Sequence, residues 1–373
     1  MSLLASCSPE RADSLLKREE REPSFSVEDF RALGLLNDRG QPRLARAQGY
    51  FSQERNDQLL MDLYEHWRDL PEFVVLRRPK RIWRDPTASA WEYRAFKCSK
   101  RGNDVYSKRV QKRLDWLKDL PNKEFFKISD FNMKKKVSTQ LLWVTLTYDP
   151  GLCDRITAWE NLGSEYSRFM HLLRKKYGKI SALRVWESFE NGYPHCHVCL
   201  YFHDAKFSVF PWISMKEGKF SFRISEKAQI SQLWHSHADV EAISSMKKLG
   251  SYVRKYQMKV YQGESSKSVK TMAFCWIHRK RSFALSGSFR AALHDLIERL
   301  HNWAMKEVQV SLDGEILEEN PWEFVCVCTG QELHIQDHLW VTHLEGDQIK
   351  TVQEIEAQLQ NPLWKRYQIL EAA

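Results

Sequence analysis

Asn191-Gly192 lies between two apolar runs rich in β-branched and aromatic residues, Ala182 to Glu190 and Pro194 to Phe202. No other stretch limits the possible folds as much. Asn-Gly is a strong hairpin-turn signal because it tolerates positive φ, and the flanking runs have the composition of strands. The second run reads Pro194-His195-Cys196-His197-Val198-Cys199. On a strand, residues i and i+2 project from one face, so the imidazoles of His195 and His197 converge. Convergent imidazoles are ligands for a divalent metal. Chance supplies roughly 0.4 His-x-His pairs in a chain with 13 His. A second pair, His235-Ser236-His237, is indeed present. It follows Leu233-Trp234 at the end of a predicted helix, where residues two apart do not face each other, and it reads as structural or surface.

Two imidazoles that hold Mg²⁺ or Mn²⁺ recruit an oxygen ligand, because these cations prefer carboxylates. The neighbouring run offers Glu187 and Glu190, and register decides between them. A two-residue loop of Asn191-Gly192 puts Ser188 opposite His195 and turns Glu187 to the wrong face. A three-residue loop puts Glu187 opposite His195 or His197 and leaves Glu190 at the loop edge. Glu187 is the preferred ligand, and Glu190 remains the alternative.

The rest of the chain places this hairpin in an α+β protein. Leu141 to Tyr148 reads as a buried strand stopped by Asp149-Pro150-Gly151, and Trp159, Leu162, Tyr166, Phe169, Met170 and Leu173 form one helical face ended at Gly178. After the hairpin come a helix around Glu226 to Trp234, a strand Val240 to Ile243 and a helix from about Ser245 to Tyr261. This β-α-β-β-α-β-α order predicts a central antiparallel sheet with flanking helices. Two helices are expected nearer the N-terminus, one opening at Ser26 and one from Asp57 to Leu70. A further one is expected from Val352 to Leu359, after short strands that include Phe324 to Cys328.

Charge is concentrated. Residues 75–138 carry 19 Lys/Arg against 7 Asp/Glu, a local +12 where the 373-residue chain has +9. Trp83, Trp91, Tyr93 and Tyr106 are interleaved, and a basic amphipathic helix is expected over Val105 to Leu120. Basic residues interleaved with aromatics suit a nucleic-acid surface. The eight cysteines show neither a disulfide framework nor paired CxxC motifs, which fits reduced thiols in a cytoplasm. No apolar run approaches the roughly 18 residues of a membrane span.

Tyr252-Val253-Arg254-Lys255-Tyr256-Gln257-Met258-Lys259 repeats Tyr-x-x-Lys with overlap. In a helix, Tyr252 and Tyr256 share a face. A phenol with an ordinary pKa near 10 is a weak nucleophile unless a neighbouring cation favours the phenolate, and Lys255 and Lys259 are placed to do that or to neutralise a phosphate.

The ordered set Thr145-Leu146-Thr147, then Glu187 with His195-Cys196-His197, then Tyr252-x-x-Lys255-Tyr256 resembles the three motifs of HUH-superfamily rolling-circle replication initiators. The tandem tyrosines are similar to those of the two-tyrosine type found in plasmids and phages or viruses. The resemblance covers roughly residues 139–262 and implies an HUH, ferredoxin-like nuclease core. It implies that His195, His197 and Glu187 hold Mn²⁺ or Mg²⁺ at the scissile phosphate. It also implies that Tyr252 or Tyr256 attacks to leave a 5′-phosphotyrosine and a free 3′-OH, while Thr145 and Thr147 belong to the strand beneath the site. The implied organisation is an N-terminal helical region (1–74), a basic DNA-binding region (75–138), the nuclease core (139–262), a helical extension (263–305) and a small mixed C-terminal region (306–373). The implied partners are single-stranded and origin DNA. No Gly-x-x-x-x-Gly-Lys-[Ser/Thr] loop occurs, so a host helicase and polymerase are expected as well, and no membrane. Two other readings compete. A two-tyrosine HUH transposase typically adds a cysteine zinc-binding region, which residues 1–138 lack. A catalytically silent single-strand-binding module would not require the histidines, the glutamate and both tyrosines together.

Overall fold

The computed structural model describes residues 24–79, 91–115, 123–133, 135–213, 220–249, 266–291, 323–336 and 338–360. Tyr252, Lys255, Tyr256 and Lys259 lie outside the described residues. The chain divides into two compact units, one built from residues 1–24, 56–61 and 110–300, the other from 25–55, 62–109 and 301–373.

The second unit contains a four-stranded sheet. Strands β1 (Glu72–Pro79) and β2 (Trp91–Lys97) arise from the basic stretch. They share the sheet with β11 (Glu323–Thr329) and β12 (Val341–His343) in the order β11-β1-β2-β12. Phe73, Val75, Tyr93, Ala95, Cys326 and Cys328 bury one face, covered by Val352 of the Asp347–Gln360 helix. The helix that opens at Ser26 is present over Val27–Ala32 with a capping box between Ser26 and Asp29. The expected helix from Asp57 runs to Asp69. The basic helix occupies Asp104–Asp115; residues 116–120 lie outside the described residues. Much of the basic charge here is internally paired. Arg77 meets Glu323 and Glu356, Arg78 and Arg94 share Glu92, and Lys97 meets Asp104. Lys100, 5% exposed, binds Glu72 at 3.0 Å.

The first unit carries a five-stranded antiparallel sheet. Its strands are β4 (Leu141–Thr147), β5 (Ile180–Ser188), β6 (Pro194–Phe202), β9 (His237–Ala242) and β10 (Phe283–Ser286). Their order in the sheet is β10-β5-β6-β4-β9. The Arg155–Tyr177 helix packs on one face, with the Tyr166 ring edge-on to Trp186. Asp154 caps its first turn by accepting from the amides of Ile156 and Thr157. Gly178 ends it at φ +81°, a left-handed conformation that glycine adopts without a Cβ penalty. On the other face Trp143, Leu183, Val185 and Cys199 bury against Met246, Leu249 and Phe289.

Three features depart from the periodicity reading. The stretch expected to be helical over 263–305 is helical over Ser266–Ile277 and then forms β10, which pairs Phe283 with Val185 and Leu285 with Leu183. Sheet pairing against β5 overrides local propensity there. The helix expected around 226–234 is confined to Lys227–Ser231. A smaller sheet is formed by β3 (Ser138–Thr139), β7 (Phe207–Ile213) and β8 (Phe220–Ile224), in the order β3-β7-β8, between elements where the sequence reading placed none. Among the described residues no helix is long and apolar enough to cross a membrane.

Candidate metal centre

The hairpin loop settles the geometry. The Phe189 amide donates to Tyr193 O and the Gly192 amide to Phe189 O, both at 2.9 Å, and Gly192 has φ +82°. The loop proper is therefore Glu190-Asn191-Gly192, a three-residue turn with glycine in the left-handed position. Odd parity sets Glu187 opposite His195 and Val185 opposite His197. On the other side of β6, Thr147 pairs with His195 and Thr145 with His197. Glu187, His195 and Thr147 thus form one row of side chains on a common face, and Val185, His197 and Thr145 form the next. Glu190 is exposed, and its carbonyl accepts from Lys270.

Glu187, His195 and His197 converge, and this is the metal-ligand cluster found among the described residues. The two Nε2 atoms are 3.2 Å apart, and Glu187 Oε2 lies 3.4 Å from His195 Nε2 and 3.7 Å from His197 Nε2. Donors about 2.1 Å from a common ion are separated by about 3.0–3.4 Å at octahedral or tetrahedral angles, so the set fits a divalent cation with little movement. All three side chains are buried, at 8, 4 and 7% exposure. Burial pushes the His195 imidazole below its ordinary value, and the Glu187 hydrogen bond only partly opposes that. Burial alone would raise the Glu187 carboxyl, but its hydrogen bonds to the two imidazoles outweigh this and hold it well below the usual carboxylate range. At neutral pH the site is a carboxylate facing a neutral His195, a donor set for a cation.

Neighbouring side chains orient the ligands. Thr145 Oγ1 lies 3.1 Å from His197 Nδ1, and the Trp143 ring stacks on the same imidazole at 5.5 Å. Phe189 stacks on His195 at 4.2 Å. Lys267, on the Ser266–Ile277 helix, brings Nζ to 3.8 Å from Glu187 Oε2. Thr145 was expected to be part of the strand beneath the site; its register with His197 makes it a contact. Lys267 is 80 residues from Glu187 in sequence, and no local pattern announces it. The pair His235-Ser236-His237 does not converge. His235 contacts Glu165 and Tyr148, while His237 opens β9 as an exposed residue. Tyr252, Tyr256, Lys255 and Lys259 lie outside the described residues, but the chain leading to them is helical over 246–249. Met246 and Leu249 pack on the face of the sheet that carries the cluster.

Fold and site together define an α+β protein whose antiparallel sheet holds a buried two-histidine, one-carboxylate metal centre. Residues 141–261 of this chain match the family model of replication-associated proteins of the ORF2 type, which supports a role in replication initiation. The match spans 121 of 373 residues and includes β4, the whole site hairpin and the Tyr252–Lys259 stretch. Comparison with curated proteins gave no match, and comparison with solved structures gave none.

Proposed function

We propose that this chain is a two-tyrosine rolling-circle replication initiator that nicks and rejoins single-stranded origin DNA. The observation that carries the reading is the convergence of Glu187, His195 and His197 inside the segment similar to replication-associated proteins. A divalent cation such as Mn²⁺ or Mg²⁺, held by these three residues, supplies Lewis-acid polarisation of the scissile phosphodiester. The Oη of Tyr252 or Tyr256 attacks phosphorus, a new P–O bond forms to tyrosine, and the bond to the 3′ oxygen breaks. The phenolic proton is released, with Lys255 or Lys259 stabilising the phenolate, and the 3′ oxygen takes up a proton. The freed 3′-OH primes synthesis. Rejoining reverses the exchange, and the second tyrosine serves the next transfer without nucleotide hydrolysis. Lys267, 3.8 Å from the Glu187 carboxylate, adds positive charge where the DNA phosphate approaches. Strand separation and synthesis are assigned to a host helicase and polymerase.

The test is covalent. The full chain is incubated with Mn²⁺ and end-labelled single-stranded oligonucleotides covering the replicon's origin, then denatured. A denaturation-resistant adduct is expected that disappears with EDTA and in the double variant Tyr252→Phe/Tyr256→Phe. No adduct across the whole set would overturn the nicking reading in favour of a silent single-strand binder.

A further inference from the structure

The β7–β8 ribbon has no place in the metal centre, yet it carries much of the exposed aromatic surface among the described residues. Phe210 is 42% exposed, Trp212 40% and Phe220 48%, with Ile213 at 61%. The pairing of Phe210 with Arg223 and Trp212 with Ser221 sets Phe210, Trp212, Ser221 and Arg223 on one face. Ile213 and Phe220 occupy the other face at the outer end. Both faces there are exposed, so the end of the ribbon projects into solvent.

Cations lie beside the aromatics. Ser138 pairs with Ser208, and the Val209 amide donates to Val137 O at 2.9 Å. That extends the ladder past β3 and brings Lys136 into register with Phe210. Lys206 directly precedes β7. Both lysines are exposed, and neither makes an ion pair with a described residue. The three strands of this sheet contain no carboxylate. Aromatic faces interleaved with free cations, without acidic residues, match an unpaired polynucleotide: its bases stack and its phosphates meet the lysines. An apolar protein partner would leave the lysines unanswered, and a duplex presents no free base faces to the rings.

The ribbon is fixed relative to the metal centre. The Arg223 guanidinium donates to Asp239 at 2.7 Å and to Val240 O at 2.9 Å, and lies 4.9 Å over the Trp212 ring. Asp239 is in the row that runs through Thr145 to His197. At the spacing of neighbouring strands it stands about 10 Å from His197 on the same face. Arg223 therefore holds Trp212 in a set orientation on the side of the sheet where the scissile phosphate would lie.

We propose that Phe210 and Trp212, flanked by Lys136 and Lys206, form a stacking platform for single-stranded DNA beside the scissile phosphate. The assignment rests on the nicking reading for its role, but its test does not need the chemistry. Anisotropy of a labelled oligothymidylate is followed with the full chain in EDTA. One base stack is worth roughly 5- to 150-fold in affinity, so Phe210→Ala/Trp212→Ala weakens binding at least about tenfold at an unchanged melting temperature. Trp212→Phe retains most of the affinity, and Lys136→Ala lowers the salt slope by about one. Unchanged affinity in the double variant overturns the platform. If that variant also turns a dimeric chain monomeric, the face is a contact between copies instead. Oligothymidylate binding through the ribbon in a chain that forms no adduct leaves the platform standing and removes the nicking reading. Adduct formation with ribbon-independent binding does the reverse.

Discussion

Thr145→Val isolates the hydrogen bond that orients one metal ligand. Thr145 Oγ1 and His197 Nδ1 are 3.1 Å apart, and His197 points Nε2 at the cluster, 3.2 Å from His195 Nε2 and 3.7 Å from Glu187. A metal bound through Nε2 requires the proton on Nδ1, with the threonine hydroxyl as acceptor. Valine keeps the shape and removes the acceptor, so the tautomer loses this restraint. Loss of such an outer partner typically costs 10- to 100-fold in metal affinity, or about 1.4–2.7 kcal/mol. Isothermal titration with Mn²⁺ should show that range for Thr145→Val and near-complete recovery for Thr145→Ser. Thr147→Val is the control. Thr147 sits opposite His195, and its hydroxyl hydrogen-bonds to no described residue, so affinity should not change. Unaltered Mn²⁺ affinity in Thr145→Val, with the same His197 tautomer by ¹⁵N NMR, would refute the reasoning.

Mn²⁺ at about a hundredfold excess over Kd should stabilise the fold by about 2.7 kcal/mol; calorimetry should show EDTA reversing the shift and Glu187→Gln losing most of it. Gly192→Ala should destabilise by about 1–3 kcal/mol in urea unfolding. It puts an alanine at φ +82°, with a Cβ 2.7 Å from Arg155 Nη1 and 3.2 Å from Phe274, and a neutral result would argue against this turn. Stability should also fall in acid through His278, which stacks near Trp159 and Phe274. Burial, with Lys280 and Arg155 nearby, lowers its pKa to about 4. The folded state keeps His278 neutral while the unfolded chain protonates near 6.5, so stability present above that value is lost as pH falls toward 4. The loss reaches at most about 3 kcal/mol, and His278→Phe should flatten that part of the pH profile in chemical unfolding.

Local sequence carried a large share of the site. A strand's two-residue period places His195 and His197 on one face whatever surrounds them, and Asn191-Gly192 marks the turn because few dipeptides accept its backbone angles. The carboxylate could be narrowed only to Glu187 or Glu190, because loop parity depends on how the chain closes at Phe189 and Tyr193. Lys267 and the β7–β8 ribbon had no local signature, since their importance comes from what lies next to them in space.

The sequence by itself determined the hairpin, the paired imidazoles and the concentration of positive charge. Tertiary structure decided which glutamate faces the histidines and that β10 completes the sheet. It decided also that β1 and β2 pair with strands more than 200 residues downstream, where Glu323 and Glu356 neutralise Arg77. The division has a physical cause. Side-chain direction within a strand and the backbone preferences of a turn are set by neighbouring residues, whereas strand partners and charge partners are chosen by the closure of the whole chain.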